Sequence, residues 1–210
     1  MKRFAAKFYH EFKPISMDDT PNKVLLSLSK EAHILNVGSG STKLRENIVN
    51  LDIENFPNVD VVADAHNLPF EDGEFDCVYC NAVLEHLEKP WIATSEIQRV
   101  MKKGGIAIVV APFLFPIHDE HDYFRFTLKG VRSLFHELKE DKGGVCSGAS
   151  QTLAYLLRGY PALIFENTFL ELPVKFIMNI LAKPFCYLEF LVKKPSMYRY
   201  AQAFYFVGVK

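Results

Sequence analysis

Five short apolar runs, the first of them closed by Gly38, constrain this chain more than any other feature. They are HILNV (33–37), IVNLDI (48–53), VDVVA (59–63), FDCVYCNAV (75–83) and IAIVVAPF (106–113). Continuous apolar runs suit strands covered on both faces, whereas strands with one wet face alternate. The pattern predicts an α/β fold around a parallel sheet. Between the fourth and fifth runs, Pro90 suits a first helical turn, and Ala93, Ile97, Val100 and Met101 recur at helical spacing. Gly104-Gly105 is expected to end that helix. Strand, helix and strand in this order form a right-handed crossover. A second helix is predicted after Thr127, with Val131, Leu134, Phe135 and Leu138 on one face, and AFYFVGVK (203–210) reads as a last strand.

At 210 residues the chain is the size of one domain, with a leader over 1–31, a core over 32–145, an aromatic-rich helical insertion over 146–201 and the last strand over 202–210. Its 24 basic and 25 acidic residues nearly cancel, which excludes a broad electrostatic grip on nucleic acid. The four cysteines are too scattered for a disulfide scaffold, and Cys77 and Cys80, three apart on a strand, would face opposite sides. No run of 18 uncharged apolar residues is present, and MKRFAAKFYHEFKP lacks the apolar stretch of a signal peptide, so a cytoplasmic protein is expected.

Three turns follow the first three runs, and all fall at the carboxyl edge of the predicted sheet, where open α/β sheets bind ligands. The first is Asn36-Val37-Gly38-Ser39-Gly40-Ser41, whose glycines allow a sharp turn and a close ligand approach, or simply a turn. The second holds Asp52 followed by Ile53; its carboxylate suits ribose hydroxyls, or solvent. The third, Asp64-Ala65-His66, offers a carboxylate and backbone groups to an adenine. A nicotinamide fingerprint is poorer, because the third glycine of G-x-G-x-x-G is missing. A phosphate-binding G-x-x-x-x-G-K-[ST] is absent.

The phrases LNVGSGS, NLDI, VVADAHNLPFEDGEFDCVYCNAVLEHL and IQRVMKKGGIAIVVAPF resemble the class I S-adenosylmethionine-dependent methyltransferases, in particular the methyltransferase type 11 group. The resemblance spans about 80 residues from Ile34 to Phe113 and continues loosely to about residue 136. It implies a doubly wound, mostly parallel, seven-stranded Rossmann-like sheet with an antiparallel last strand. It also implies S-adenosylmethionine as cofactor, held by Asn36, Gly38, Ser39, Gly40, Asp52, Ile53, Asp64, Ala65, Asn81 and Val83, with His86 near the reaction cleft. The group usually carries an acidic residue where Asn36 stands. Residues 41–50 are too few for the usual helix between the first two strands.

On the acceptor side, His118-Asp119-Glu120-His121-Asp122-Tyr123-Phe124-Arg125 follows the fifth strand. His121 or Asp122 could act as base, and His118 and Arg125 could hold an anionic acceptor. The same segment could equally be a hydrogen-bonded loop. Its two histidines with carboxylates could also bind a metal, though none is expected. The expected function is methyl transfer to an oxygen or nitrogen of a small or lipid-linked metabolite. A cofactor-binding regulatory or partner subunit without turnover is the alternative. Residues 151–210 hold 13 aromatic residues, with seven basic against three acidic. Over 151–200 this composition suits a helical lid, a homodimer interface or peripheral contact with the inner face of a membrane.

Overall fold

The apolar runs become strands because their side chains are removed from water on both faces of one sheet. The computed structural model describes residues 19–42, 44–165, 168–192 and 194–210, so most of the expected leader lies outside the described residues. Helix α1 (Thr20–Ser27) leads into β1 (Ile34–Val37), β2 (Ile48–Asp52), β3 (Val61–Val62) and β4 (Phe75–Asn81). A 3₁₀ turn (Leu84–His86), α2 (Pro90–Val100) and β5 (Met101–Pro112) follow, then α3 (Leu128–Leu134) and β6 (Lys139–Ser147). The last strand is β7 (Ala203–Val209). The seven strands run in the order β3-β2-β1-β4-β5-β7-β6. Strands β1 to β5 pair in parallel, and β7 joins β5 antiparallel. Between β1 and β2 the described residues form turns and no helix, in line with a segment too short for the usual helix there.

One face of the sheet buries Leu35, Val37, Val78 and Cys80 under Ala93, Ile97, Val131 and Phe135. The other buries Ile34, Cys77, Tyr79, Ile108 and Val207. Cys77 and Cys80 thus lie on opposite faces. Burial pushes the Cys77 thiol up to about 12, so it is a small hydrophobe rather than a nucleophile. Thr127 caps α3, its hydroxyl accepting from Gly130 N at 3.1 Å.

One expectation is corrected, and one strand is added. Gly104-Gly105 does not end α2, which stops at Val100; both glycines lie inside β5. Opposite Phe75 and Cys77 the register jumps from Met101 to Ile106. Gly104, at φ +78°, supplies the backbone reversal of that bulge. At Gly105 a side chain would meet Lys102 O at 2.8 Å. Strand β6 has no counterpart among the apolar runs: KEDKGGVCS is charged at its start, as suits the outer strand of a sheet.

Residues 147–202 form a second compact unit. It contains α4 (Ala149–Gly159), α5 (Pro161–Ile164), α6 (Thr168–Tyr187), a 3₁₀ turn (Leu188–Leu191) and α7 (Lys194–Met197). Buried Glu189 accepts from Ser150 N at 2.9 Å, placing a negative charge on the amino end of α4. Helix α6 buries Ala182 and Cys186 against Ala154. It leaves Leu172, Phe176, Ile177, Ile180 and Leu181 more than half exposed.

The loop after β3 is fixed by one side chain. Arg99 donates to Leu68 O at 3.0 Å, to Phe70 O at 2.8 Å and, in bidentate fashion, to Glu96 at 2.8 Å. Glu96 in turn accepts from Leu68 N at 2.9 Å. The contact with exposed Asp72 adds little, since surface pairs contribute under about 1 kcal/mol. Arg99→Ala is expected to lower the unfolding free energy by about 1.5–3 kcal/mol, the range for hydrogen bonds to a charged group. Urea titration followed by circular dichroism checks this, and an unchanged midpoint would show that the loop is held by packing alone.

Candidate functional site

Strand order reverses at β1: the chain proceeds from β1 to β2 and β3 on one side and to β4 and β5 on the other. A crevice opens at such a point beyond the carboxyl ends of the two central strands. Gly38 and Gly40 stand at the end of β1, at φ +65° and +53°. A side chain on Gly38 would lie 2.3 Å from Val83 Cγ2, just beyond β4, while one on Gly40 would meet nothing within 4 Å. Gly38 thus closes the floor of the crevice, and Gly40 leaves its backbone open. Ser39 is buried and donates its N–H to Leu51 O at 3.0 Å.

Asp52 ends β2. Its carboxylate accepts from Gly40 N at 2.8 Å and from Glu54 N at 3.0 Å, fixing the glycine turn against the next strand. Asp52 O accepts from Ala63 N at 3.0 Å, which ties in the third turn. There Asp64 accepts from His66 N at 2.9 Å and faces His66 Nδ1 at 2.6 Å. The His66 N–H holds the Asp64 carboxyl below its ordinary value. Ala65 is buried beside it, Ile53 is exposed, and Asn81 is exposed at the end of β4. Asn36 differs in its surroundings: it is buried inside β1, and its amide donates to Asn50 Oδ1 at 3.0 Å. Ala82 takes φ +54°, a strained conformation for a residue with a side chain, between Asn81 and Val83.

The acceptor segment is anchored to the 3₁₀ turn. Tyr123 N donates to Glu85 O at 2.7 Å, and His86 Nδ1 lies 2.7 Å from His121 O. Arg125 is not a free anion receptor. Its guanidinium donates to Phe115 O, Phe124 O and Pro116 O at 2.7–2.9 Å and, in bidentate fashion, to Asp122, so all five N–H groups are used. Arg125 holds the Asp122 carboxyl down at about 2. So weak a base takes up little proton at neutral pH, which argues against Asp122 in that role. Asp122 instead receives His118 N and His118 Nδ1, each at 3.1 Å. The His121 imidazole is two-thirds exposed.

In the sequence Glu85 stands simply as the residue before His86. Its carboxylate is wholly buried, and burial pushes it up to about 7. A single residue before a histidine carries no signal of such burial.

A family described as a methyltransferase domain matches residues 35–109. Over these residues, about a third of the chain, it is similar to the class I methyltransferases of the type 11 group. Demethylmenaquinone methyltransferase of Staphylococcus carnosus is 30% identical over 126 residues, covering 58% of this chain and 48% of that protein. Sterol 4-C-methyltransferase of Caenorhabditis elegans is 27% identical over 134 residues, 53% of this chain and 39% of that one. The chain thus spans under half the length of these curated relatives. Among solved structures, the [4+2]-cyclase SpnF is similar at a TM-score of 0.60 and 18% identity, covering 91% of this chain and 80% of that chain. A putative sarcosine dimethylglycine methyltransferase from Galdieria sulphuraria gives 0.58 and 17%, over 91% and 84%. At such identities the likeness establishes the fold, and a cyclase among the neighbours shows that this fold alone does not choose the reaction.

The Gly38 contact yields a direct comparison. Gly40→Ala is expected to cost about 1–2 kcal/mol for a side chain in the left-handed region. Gly38→Ala pays that and the clash with Val83, and Val83→Ala in the same chain should recover part of the difference. Equal losses for the two single variants, measured by denaturant unfolding, would contradict the close approach.

Proposed function

We propose that this chain transfers a methyl group from S-adenosylmethionine to an oxygen or nitrogen of a small or lipid-linked metabolite. The observation that carries the reading is convergence: Gly38 and Gly40, Asp52, Asp64 and Asn81 end neighbouring parallel strands around one crevice. The residues fit the cofactor. Gly40 has room for an approaching ligand, and the Asp52 and Asp64 carboxylates retain acceptor lone pairs beyond their backbone bonds.

In this reading the backbone at Gly38, Ser39 and Gly40 faces the methionine portion, with Asn81 and Val83 opposite. Asp52 accepts from the ribose, with Ile53 beside it. Asp64 and Ala65 meet the adenine. Asn36 supports the turn from inside the sheet. Bound there, S-adenosylmethionine supplies a methyl group already activated by a sulfonium centre. The protein's share is then mainly alignment. His86 and His118 line the acceptor side, and His121 is the remaining proton acceptor of that segment. The names of the quinone and sterol relatives favour a lipid-like acceptor and bring carbon into the range of acceptor atoms.

Asp52→Ala should weaken S-adenosylhomocysteine binding by about 1.5–3 kcal/mol in calorimetry. An unchanged dissociation constant with an intact fold would remove Asp52 from the site. Turnover is tested separately, by exposing cell extracts to the protein and a labelled methyl donor. Binding without any labelled product would favour the alternative, a cofactor-binding partner subunit.

The exposed apolar residues of α6 favour a further part of the proposal, contact with a lipid surface. Residues 151–210 have seven basic against three acidic residues, and one of the acidic residues, Glu189, is buried. An apolar helix face with excess lysine suits an anionic interface. No helix among the described residues is long and apolar enough to cross a membrane. Glu166 and Lys193, and the side chains of Phe169, Leu170 and Lys194, lie outside the described residues. The protein is expected to float with vesicles containing phosphatidylglycerol at low salt, and Phe176→Glu to reduce that several-fold. If it stays in the soluble fraction, and Phe176→Glu splits a dimer instead, the apolar face is an interface between copies.

A further inference from the structure

Glu85 is a buried carboxylate whose two oxygens accept no hydrogen bond. Leaving a carboxylate in that state is costly, and such a group needs a proton or a cation as partner. Two imidazoles stand beside it. His86 Nε2 lies 3.7 Å from Glu85 Oε1, and the rings of His86 and His118 meet edge to face at 4.8 Å. One ligand atom from each of Glu85, His86 and His118 falls within 4.8 Å of the other two.

Hydrogen bonds decide which ring nitrogens carry lone pairs. His86 Nδ1 contacts His121 O at 2.7 Å, and a carbonyl only accepts, so Nδ1 carries the proton and Nε2 is free to bind. His118 Nδ1 faces Asp122 Oδ2 at 3.1 Å and Pro116 O at 3.3 Å, again two acceptors, which leaves its Nε2 the lone pair. Metal-bound histidines are held in this manner, with the second nitrogen donating to a carbonyl or carboxylate. Asp122 is fixed for the task by Arg125.

We propose that Glu85, His86 and His118 form a site for one divalent transition-metal ion, with zinc as the reference case. Two imidazoles and a carboxylate are a known donor set for such ions, and three protein ligands leave a position open to an oxygen ligand. Tetrahedral bonds of about 2.0–2.2 Å bring ligand atoms to roughly 3.4 Å from one another. Rotation of the two part-exposed imidazoles toward the fixed carboxylate supplies that closure. The inference does not rest on methyl transfer, and its readout is metal binding.

The test uses the full chain, stripped with a chelator and titrated with Zn²⁺ by calorimetry, with metal content measured after dialysis. One equivalent per chain is expected. His118→Ala and Glu85→Gln should each weaken binding by about 100-fold or more, and Asp122→Asn by about 10–100-fold, the range for a residue that orients a ligand. Circular dichroism checks the variants. If Glu85→Gln does not fold, His118→Ala, at a part-exposed ring, decides with the Co²⁺ visible spectrum as second measurement. No bound equivalent, or equal affinity in the folded variants, overturns the proposal.

Discussion

The constraint on which the crevice depends is the close approach of Gly38 to Val83. A backbone in the left-handed region, with no room for a Cβ, lets the end of β1 meet the residues beyond β4. This contact sets the floor of the crevice where the strand order reverses. From there Asp52 extends the arrangement outward. Its carboxylate holds Gly40, and its backbone carbonyl holds Ala63, so three successive turns share one rigid frame. Asp52 therefore orders the three turns.

The loops around the crevice are held by charged groups that serve the backbone. Arg99 binds the carbonyls of Leu68 and Phe70 behind the Asp64 turn. Arg125 does the same for the segment after β5, using every N–H it has. A guanidinium suits this task because its five donors are fixed in one plane. These loops are thus braced by side chains whose donors are spent on the backbone. Rigid support of this kind is what positioning chemistry requires.

Much of this was legible in the sequence. Continuous apolar runs marked strands β1 to β5, and the glycine and aspartate turns marked the carboxyl edge of the sheet. What escaped has physical reasons. Strand β6 is an outer strand, and its charged start gives no apolar signal. Gly104-Gly105 has the composition of a helix end, but the register jump inside β5 uses the same conformational freedom. Arg125 and Asp122 were read as chemistry because ionisable residues cluster there, and their mutual pairing depends on a fold of the loop that spacing does not reveal. The burial of Glu85 arises from Tyr123 and the rest of that loop docking onto the 3₁₀ turn, a contact 38 residues away in the chain.

The central claim is that the crevice between β1 and β4 binds S-adenosylmethionine through the turns that follow β1 to β4. Hydrogen–deuterium exchange with and without S-adenosylhomocysteine tests it most directly, because it locates binding along the backbone. The account predicts slowed exchange at 38–41, 52–54, 64–67 and 81–83, with β6 and α3 unchanged. Slowed exchange elsewhere with those four segments unaffected would contradict it.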